Sequence, residues 1–384
     1  MPPPPPSGAG GGALFQCRSG GTTTAMTTYI VRRLLVSLPV IFGILVAVFV
    51  ITRLLPGDPC RALLGEKATE VACAAFNSRY GFDQPIPIQF LKYLQQVLTG
   101  DLGESIRFGV PVTQLIVDRL PTTIELTVIS LTIATYFGIK LGVRAATKRN
   151  SRTDVSAMIF ANLGVSIPVF VLGLLLAYFF AVVLKGTPLA LPPANRYTAG
   201  VIPTEIAVAW GLAGLQGPLR GLLDFISNMA IPNAILTLNP GNLLDAIKHL
   251  ILPSVALATI PMAVIARVTR SSLLDVLGSD YIRTARAKGL SEREVVSKHA
   301  LRNALLPVAT VVGLSLGGLL SGAVLTETIF GFAGIGRTIS DAITARDYVV
   351  VQGVTVIVSV GYVVVNLIVD ISYAYLDPRV RINS

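Results

Sequence analysis

Charged residues are scarce in this sequence. Only 14% of its 384 residues are Asp, Glu, Lys or Arg, against about 25% in soluble globular proteins. With 52% hydrophobic residues and a mean hydropathy of +0.69, that shortage excludes an ordinary water-soluble domain and points to an integral membrane protein. Histidine (two) and cysteine (three) are rare as well. No Cys-x-x-Cys occurs, so a zinc or iron–sulfur centre has no ligand framework. No Gly-x-x-x-x-Gly-Lys-Ser/Thr occurs, so the chain carries no phosphate cradle of that type. Trp210, His249 and His299 join no Ser/His/Asp set or paired carboxylates, and no catalytic residue is expected. The net charge of +10 needs no nucleic acid as partner, because basic residues gathered on one face of a bilayer account for it.

What the chain does have is apolar length. Stretches near 30–54, 124–143, 155–184, 250–267, 305–326 and 349–373 can each cross a hydrocarbon core of about 30 Å, which takes roughly 20 apolar residues as helix. Backbone in lipid has to satisfy its own hydrogen bonds, so the expected fold is all-α with six transmembrane helices. Pro39, Gly43, Gly164 and Pro168 fall inside these stretches, where membrane helices tolerate them. Residues 1–25 are Pro, Gly, Ser and Thr with little to bury, and are expected to form a disordered extension ahead of a membrane domain at 26–384. Met26 follows directly, so the tract is either a flexible tail or lies upstream of the true start.

Orientation follows the basic residues. The short loop 144–152 holds Arg144, Lys148, Arg149 and Arg152. Placing it in the cytoplasm puts both termini there and leaves 56–122 and 185–249 outside as folded caps. Val201–Leu215 is broken by Gly211 and Gly214 and reads as interfacial, not as a further crossing. Cys60 and Cys73 share the first outer segment; in an oxidising compartment they either form a disulfide or pack as two thiols.

Between the fourth and fifth spans, in the cytoplasmic stretch 268–304, lies "DYIRTARAKGLSERE" (280–294). Ser279 is placed to cap a helix, with Asp280 in its first turn. Ala285 and Ala287 favour helix. Arg286 and Lys288 suit its C-terminal end, and Gly289 is a natural stop with a positive φ. Ser291 and Glu294 then form a Ser-x-x-Glu capping box that opens a second helix, through "VVSKHALRNALL" to Pro307. A loop needed only to set topology requires no such construction.

"RTARAKGL" (283–290) followed by "HALRNALLP" (299–307) resembles the cytoplasmic coupling loop of ABC-transporter permeases, in the form found in the dipeptide/oligopeptide (peptide/nickel) importer family. Other blocks agree in order: "RRLLVSLPVIFGILVAVFVITRLLPGDP" (32–59), "YGFDQPIPIQFLKYL" (80–94), "GDLGESIRFGVPV" (100–112), "LPTTIELT" (120–127), "TETIFGFAGIGR" (326–337) and "YAYLDPRVRI" (373–382). The Glu-Ala-Ala letters of the general loop are absent, and 190–245 is longer than usual for the family. The resemblance implies a first-type permease subunit of type I importer architecture in the bacterial inner membrane, not itself an enzyme. It also implies a second homologous permease as heterodimer partner and two ATPases that hold ATP and magnesium. An external substrate-binding protein or lipoprotein would deliver the substrate.

Docking to the ATPases then falls to Arg283, Thr284, Ala285, Arg286, Ala287, Lys288, Gly289, Leu290 and Ser291. Polar groups in or beside the spans, Asn162, Ser166, Glu327 and Asn366, are candidates for the substrate pathway, the alternative being helix–helix hydrogen bonds. Asp370 reads as interfacial. A stand-alone secondary transporter is the competing reading, but the internal repeats common in such proteins are not evident. Nickel, glutathione and sugars are alternative cargoes to peptides.

Overall fold

The structure, a computed structural model, describes residues 21–54, 60–61 and 68–376. Among them there is no β-strand, only an isolated bridge between Glu104 and Pro111. Residues 1–20 and the tail with Arg379 and Arg381 lie outside the described residues, as does the side chain of Asp370. Among the described residues, five helices are long and apolar enough to cross a membrane, and a bent pair of shorter helices brings the number to as many as six.

Helix α1 (Gly21–Leu54) begins inside the tract expected to be disordered as far as residue 25. No glycine or proline interrupts the chain between Gly21 and Pro39, so the helix runs on past the membrane end of its apolar stretch. Two shorter helices follow, α2 (Glu70–Tyr80) and α3 (Ile86–Thr99). Thr69 caps α2 by accepting from the Ala72 amide, and Gly81 ends it at φ +69°.

Helix α4 (Val112–Thr147) starts well ahead of the expected span at 124. Its first turns carry Val112, Leu115 and Ile116 at helical spacing, and all three are buried against the outer part of the fold. An amphipathic stalk therefore extends this membrane-length helix at its N-terminal end.

The span expected at 155–184 is not one helix. It divides into α5 (Arg152–Ser166) and α6 (Val169–Tyr178), with a π-helical turn at Phe179–Val183. The two halves meet at 101°. Pro168 is the cause: its ring drives Ile167 out of the helical region, to ψ 121°.

The outer segment after it holds a single turn at Ile206–Ala209, then α7 (Pro218–Ser227) and α8 (Ala230–Leu236). Trp210 and its neighbours form no further crossing; the indole Nε1 donates to the Leu236 carbonyl at 3.0 Å.

Helix α9 (Pro240–Leu277) is the centre of the bundle, and 78% of its most apolar window is buried. It overruns the expected span, 250–267, at both ends. Its alanines allow close approach, and α4 answers with Gly138 and Gly142 one turn apart. An ideal Cβ at Gly142 would stand 2.6 Å from the Ala266 carbonyl oxygen. This is the small-xxx-small contact by which membrane helices pack without a hydrophobic driving force.

Then come α10 (Asp280–Ala287), a short turn at Glu292–Glu294, a π-helical stretch at Val295–Ala300, and α11 (Leu301–Ile329). The helix opened by Ser291 does not stop at Pro307. It passes through that proline into the membrane, as proline-bearing membrane helices do where neighbours re-satisfy the freed carbonyl. Two helices finish the chain, α12 (Ile335–Thr344) and α13 (Tyr348–Leu376).

Candidate functional site

Helix α10 lies across one end of the bundle and is held from above. Ile282 and Ala285, on one face of it, are buried with Ala146, Leu273, Val295, Ala300 and Ala304. Burying Ile282 alone is worth about 1.5–3 kcal/mol. Because Ala146 belongs to α4 and Leu273 to α9, the basic loop at 144–152 and α10 share one end of the molecule. Of the nine expected docking residues, Ala285 therefore faces inward and positions the helix. The others are exposed: Arg283, Thr284, Arg286, Ala287, Lys288, Gly289, Leu290 and Ser291.

The local construction departs from expectation in one respect. Ser279 occupies the N-cap position with extended backbone, but its side chain makes no capping bond. At the other end the expectation holds: Gly289 stands at φ +79°, and its amide donates to the Arg286 carbonyl at 2.9 Å. An added Cβ at Gly289 would meet nothing within 4 Å. Ser291 caps the next turn, its Oγ accepting from the Glu294 amide at 3.4 Å and donating to the Glu294 carboxylate at 3.1 Å.

Arg286 spans the glycine turn. It donates from Nε and Nη2 to Glu292, at 3.1 and 2.7 Å, and this bond to the carboxylate raises its pKa. Both partners are substantially exposed, so the pair contributes under about 1 kcal/mol; its value is geometric, a two-point clamp that fixes the turn. Asn303 adds a tie from α11, donating to the Tyr281 hydroxyl at 2.8 Å. The result is a short, rigid, cationic helix whose outer face has Arg283, Thr284 and Lys288 available to a second surface.

Glu327, one of the candidates for the substrate pathway, is engaged in the fold itself. It is fully buried, and its carboxylate caps α12: one oxygen accepts from the Arg337 amide at 3.0 Å, the other from Thr123 Oγ1 at 2.6 Å. The Thr123 hydroxyl oxygen in turn accepts from the Ile335 amide at 2.8 Å. A negative charge at a helix N-terminus is stabilising, which explains a buried carboxylate here. Glu125, one turn-fraction further along α4, does the same for α8. It accepts from the Ala230 and Ile231 amides at 2.9 and 2.7 Å and from Arg196 at 3.2 Å. The long segment 185–249 is pinned to α4 in this way.

Substitution of Glu327 by glutamine would set an NH2 group against donors. The expected loss is about 1–3 kcal/mol, seen as a lower midpoint of thermal inactivation with an unchanged KM for transport. A changed KM at an unchanged midpoint would place Glu327 in the pathway.

The remaining polar candidates stay in the spans. Asn162 accepts from Arg267 at 2.9 Å and, through its backbone carbonyl, from the Ser166 hydroxyl, also at 2.9 Å. Both Asn162 and Ser166 are exposed just before the bend of the third span. Asn366 is half-buried and lies apart from them, lining a groove between α1 and α13. Cys60 and Cys73 are joined by a disulfide, with Cα atoms 5.5 Å apart. No group of His, Cys, Asp and Glu suited to a metal is found among the described residues.

A helical membrane bundle that presents a clamped docking helix at one end, with no nucleotide cradle of its own, has the build of a transporter's membrane subunit. Comparison makes the class definite. Residues 138–382 match the family described as the inner membrane component of binding-protein-dependent transport systems. Residues 26–127 match the N-terminal region of such membrane components. The chain belongs to this family of permeases. It is 42% identical to a dipeptide transport system permease of Alkalihalophilus pseudofirmus over 93% of this chain and 100% of the relative. Identity to the dipeptide permease of Escherichia coli is also 42%, over 93% and 99%. A glutathione transport system permease of Salmonella paratyphi A is 37% identical over the same shares, 93% and 99%.

Proposed function

We propose that this chain is the first-type permease subunit of an ATP-binding-cassette importer for di- and oligopeptides. The observation that carries the reading is the near full-length likeness to permeases named for dipeptides. The build of α10 agrees with it: a cationic helix, fixed by a buried face, a glycine turn and an ion-pair clamp, suits docking against a partner that does the ATP chemistry. Two ATPases holding ATP and magnesium would bind there, chiefly through Arg283, Thr284, Lys288 and Leu290. A second homologous permease completes the passage, and an external binding protein or lipoprotein delivers the peptide. Both termini lie in the cytoplasm, a reading supported by the basic loop 144–152 and α10 sharing one end of the bundle.

The mechanism is alternating access. ATP must bind the two states of the transporter with different affinity for its binding to drive the change. Motion of α10 passes directly into α9 and α11, because its buried face packs on both. The test is uptake of a labelled dipeptide in cells with and without the partner ATPases, coupled to purification of the tagged chain. Co-purification of a second permease and ATPases, with uptake lost on their deletion, is expected. Uptake that survives the deletion would overturn the reading in favour of a secondary transporter. Competition by glutathione, the cargo named for one relative, distinguishes a broad peptide passage from a dipeptide-only one.

A further inference from the structure

A cavity of about 280 Å³ lies at the end of the bundle opposite α10. Its wall includes Arg53 from the last turn of α1, Gln89, Lys92 and Tyr93 from α3, Glu104 from the loop after it, and Gln352 from α13. Nothing in the transport reading uses these residues.

Arg53 is held with part of its guanidinium unpaired. Its guanidinium lies over the rings of Phe49 and Phe82, 4.9 and 5.1 Å from their centroids. Nε donates to Gln89 at 2.8 Å, which fixes the plane of the group. Among the described residues, the buried Nη1 has no hydrogen-bond partner and Arg53 makes no ion pair with a carboxylate. Tyr93, on the same wall, is buried to 7% exposure, and its hydroxyl also has no partner among the described residues. Buried donors left unmade are costly, and two of them with the Lys92 ammonium, against one carboxylate at Glu104, call for an oxyanion. Water can occupy a polar cavity of this size, but it does not neutralise a stacked guanidinium.

Depth narrows the choice. Arg53 closes the apolar run of α1, a helix whose most apolar window is only 11% buried within the chain. Its charge therefore sits at the edge of the hydrocarbon layer, where long basic side chains and tyrosines meet headgroups. We propose that this cavity is an oxyanion site that takes the phosphodiester of an anionic phospholipid, bound by Arg53 and Lys92 with the Tyr93 hydroxyl as third donor. Free phosphate presents the same chemistry from the aqueous side.

The test uses the full-length protein, purified with its accompanying subunits, and reads its thermal midpoint. The probes are short-chain phosphatidylglycerol, inorganic phosphate, and diacylglycerol, which lacks the phosphate. Phosphatidylglycerol is expected to raise the midpoint saturably while diacylglycerol does not. Lys92→Gln and Tyr93→Phe should each weaken that response about fivefold, the usual weight of one hydrogen bond. Without lipid, Tyr93→Phe should not lower the midpoint, because the hydroxyl has no partner to lose; this variant therefore stays informative if changes at Arg53 prevent folding. Saturation by phosphate alone, with no advantage for the lipid, would overturn the lipid as ligand. Equal responses of wild type and both variants to every probe would overturn the site itself and leave the cavity to water.

Discussion

A Gly142→Leu chain is expected to be almost absent from the membrane as folded protein. The reason is space. An ideal Cβ at this position falls 2.5 Å from the Thr269 Cβ and 2.6 Å from the Ala266 carbonyl oxygen. Neither atom is the end of a flexible side chain, so relief requires α4 and α9 to part. These two helices form the main contact of the bundle, and Gly138 repeats the crowding one turn earlier, against Ile265 and the Met262 carbonyl. In a bilayer, lipid competes for any surface the helices give up, and packing is what holds them together. Forcing extra atoms into such a contact costs about 1–3 kcal/mol or more. Gly43 in α1 is the control, since an added Cβ there meets nothing within 4 Å. Size-exclusion profiles of fluorescently tagged chains should show Gly43→Leu near wild type and Gly142→Leu reduced to a small fraction. Equal peaks would mean that the helices approach less closely than the structure shows.

The second large effect is expected at Gly289, for a different reason. Space there is free, but the backbone is held at φ +79°. A left-handed conformation costs an ordinary residue about 1–2 kcal/mol, and a β-branched one is a genuine outlier there. Valine would be relieved by re-forming the turn, which separates the Arg286–Glu292 clamp and moves the Ser291 cap. A side chain at Gly289 itself would touch no membrane helix, since an added Cβ meets nothing within 4 Å. Gly289→Val is therefore expected to insert and purify like wild type, while ATP-driven uptake falls below about a tenth. Gly289→Asn, which tolerates the left-handed region better, should retain an intermediate rate. Normal uptake by the valine variant would show that the turn is not where the ATPases act.

These two glycines mark what the sequence could and could not reveal. Gly289 was legible because its signal is local: a helix former, two basic residues, a glycine and a Ser-x-x-Glu box lie within a dozen positions of one another. The apolar stretches were legible for the same reason, since length and composition alone define them. Gly142 has a local sign too, the Gly-x-x-x-Gly it forms with Gly138, but that spacing does not say which helix it meets; Thr269 and Ala266 are supplied by a distant segment. The roles of Thr123, Glu125 and Glu327 were hidden likewise; a carboxylate that caps a helix from a distant segment leaves no local pattern. Pro168 was visible, but proline in a membrane helix is compatible with anything from a slight kink to the 101° bend observed.

The two buried glutamates also set an order of assembly. Glu125 meets the Ala230 and Ile231 amides across 105 and 106 residues of chain. Thr123 meets Glu327 across 204. At a synthesis rate of about 5–20 residues per second, Glu125 waits on the order of ten seconds for its partners after it is made, and Thr123 roughly twice as long. Arg196, 71 residues after Glu125, is the first of its partners to be made; the backbone amides that complete its set come later. All of these partners lie C-terminal to α4, so the bonds that pin α8 and α12 to it can close only after those helices have been made.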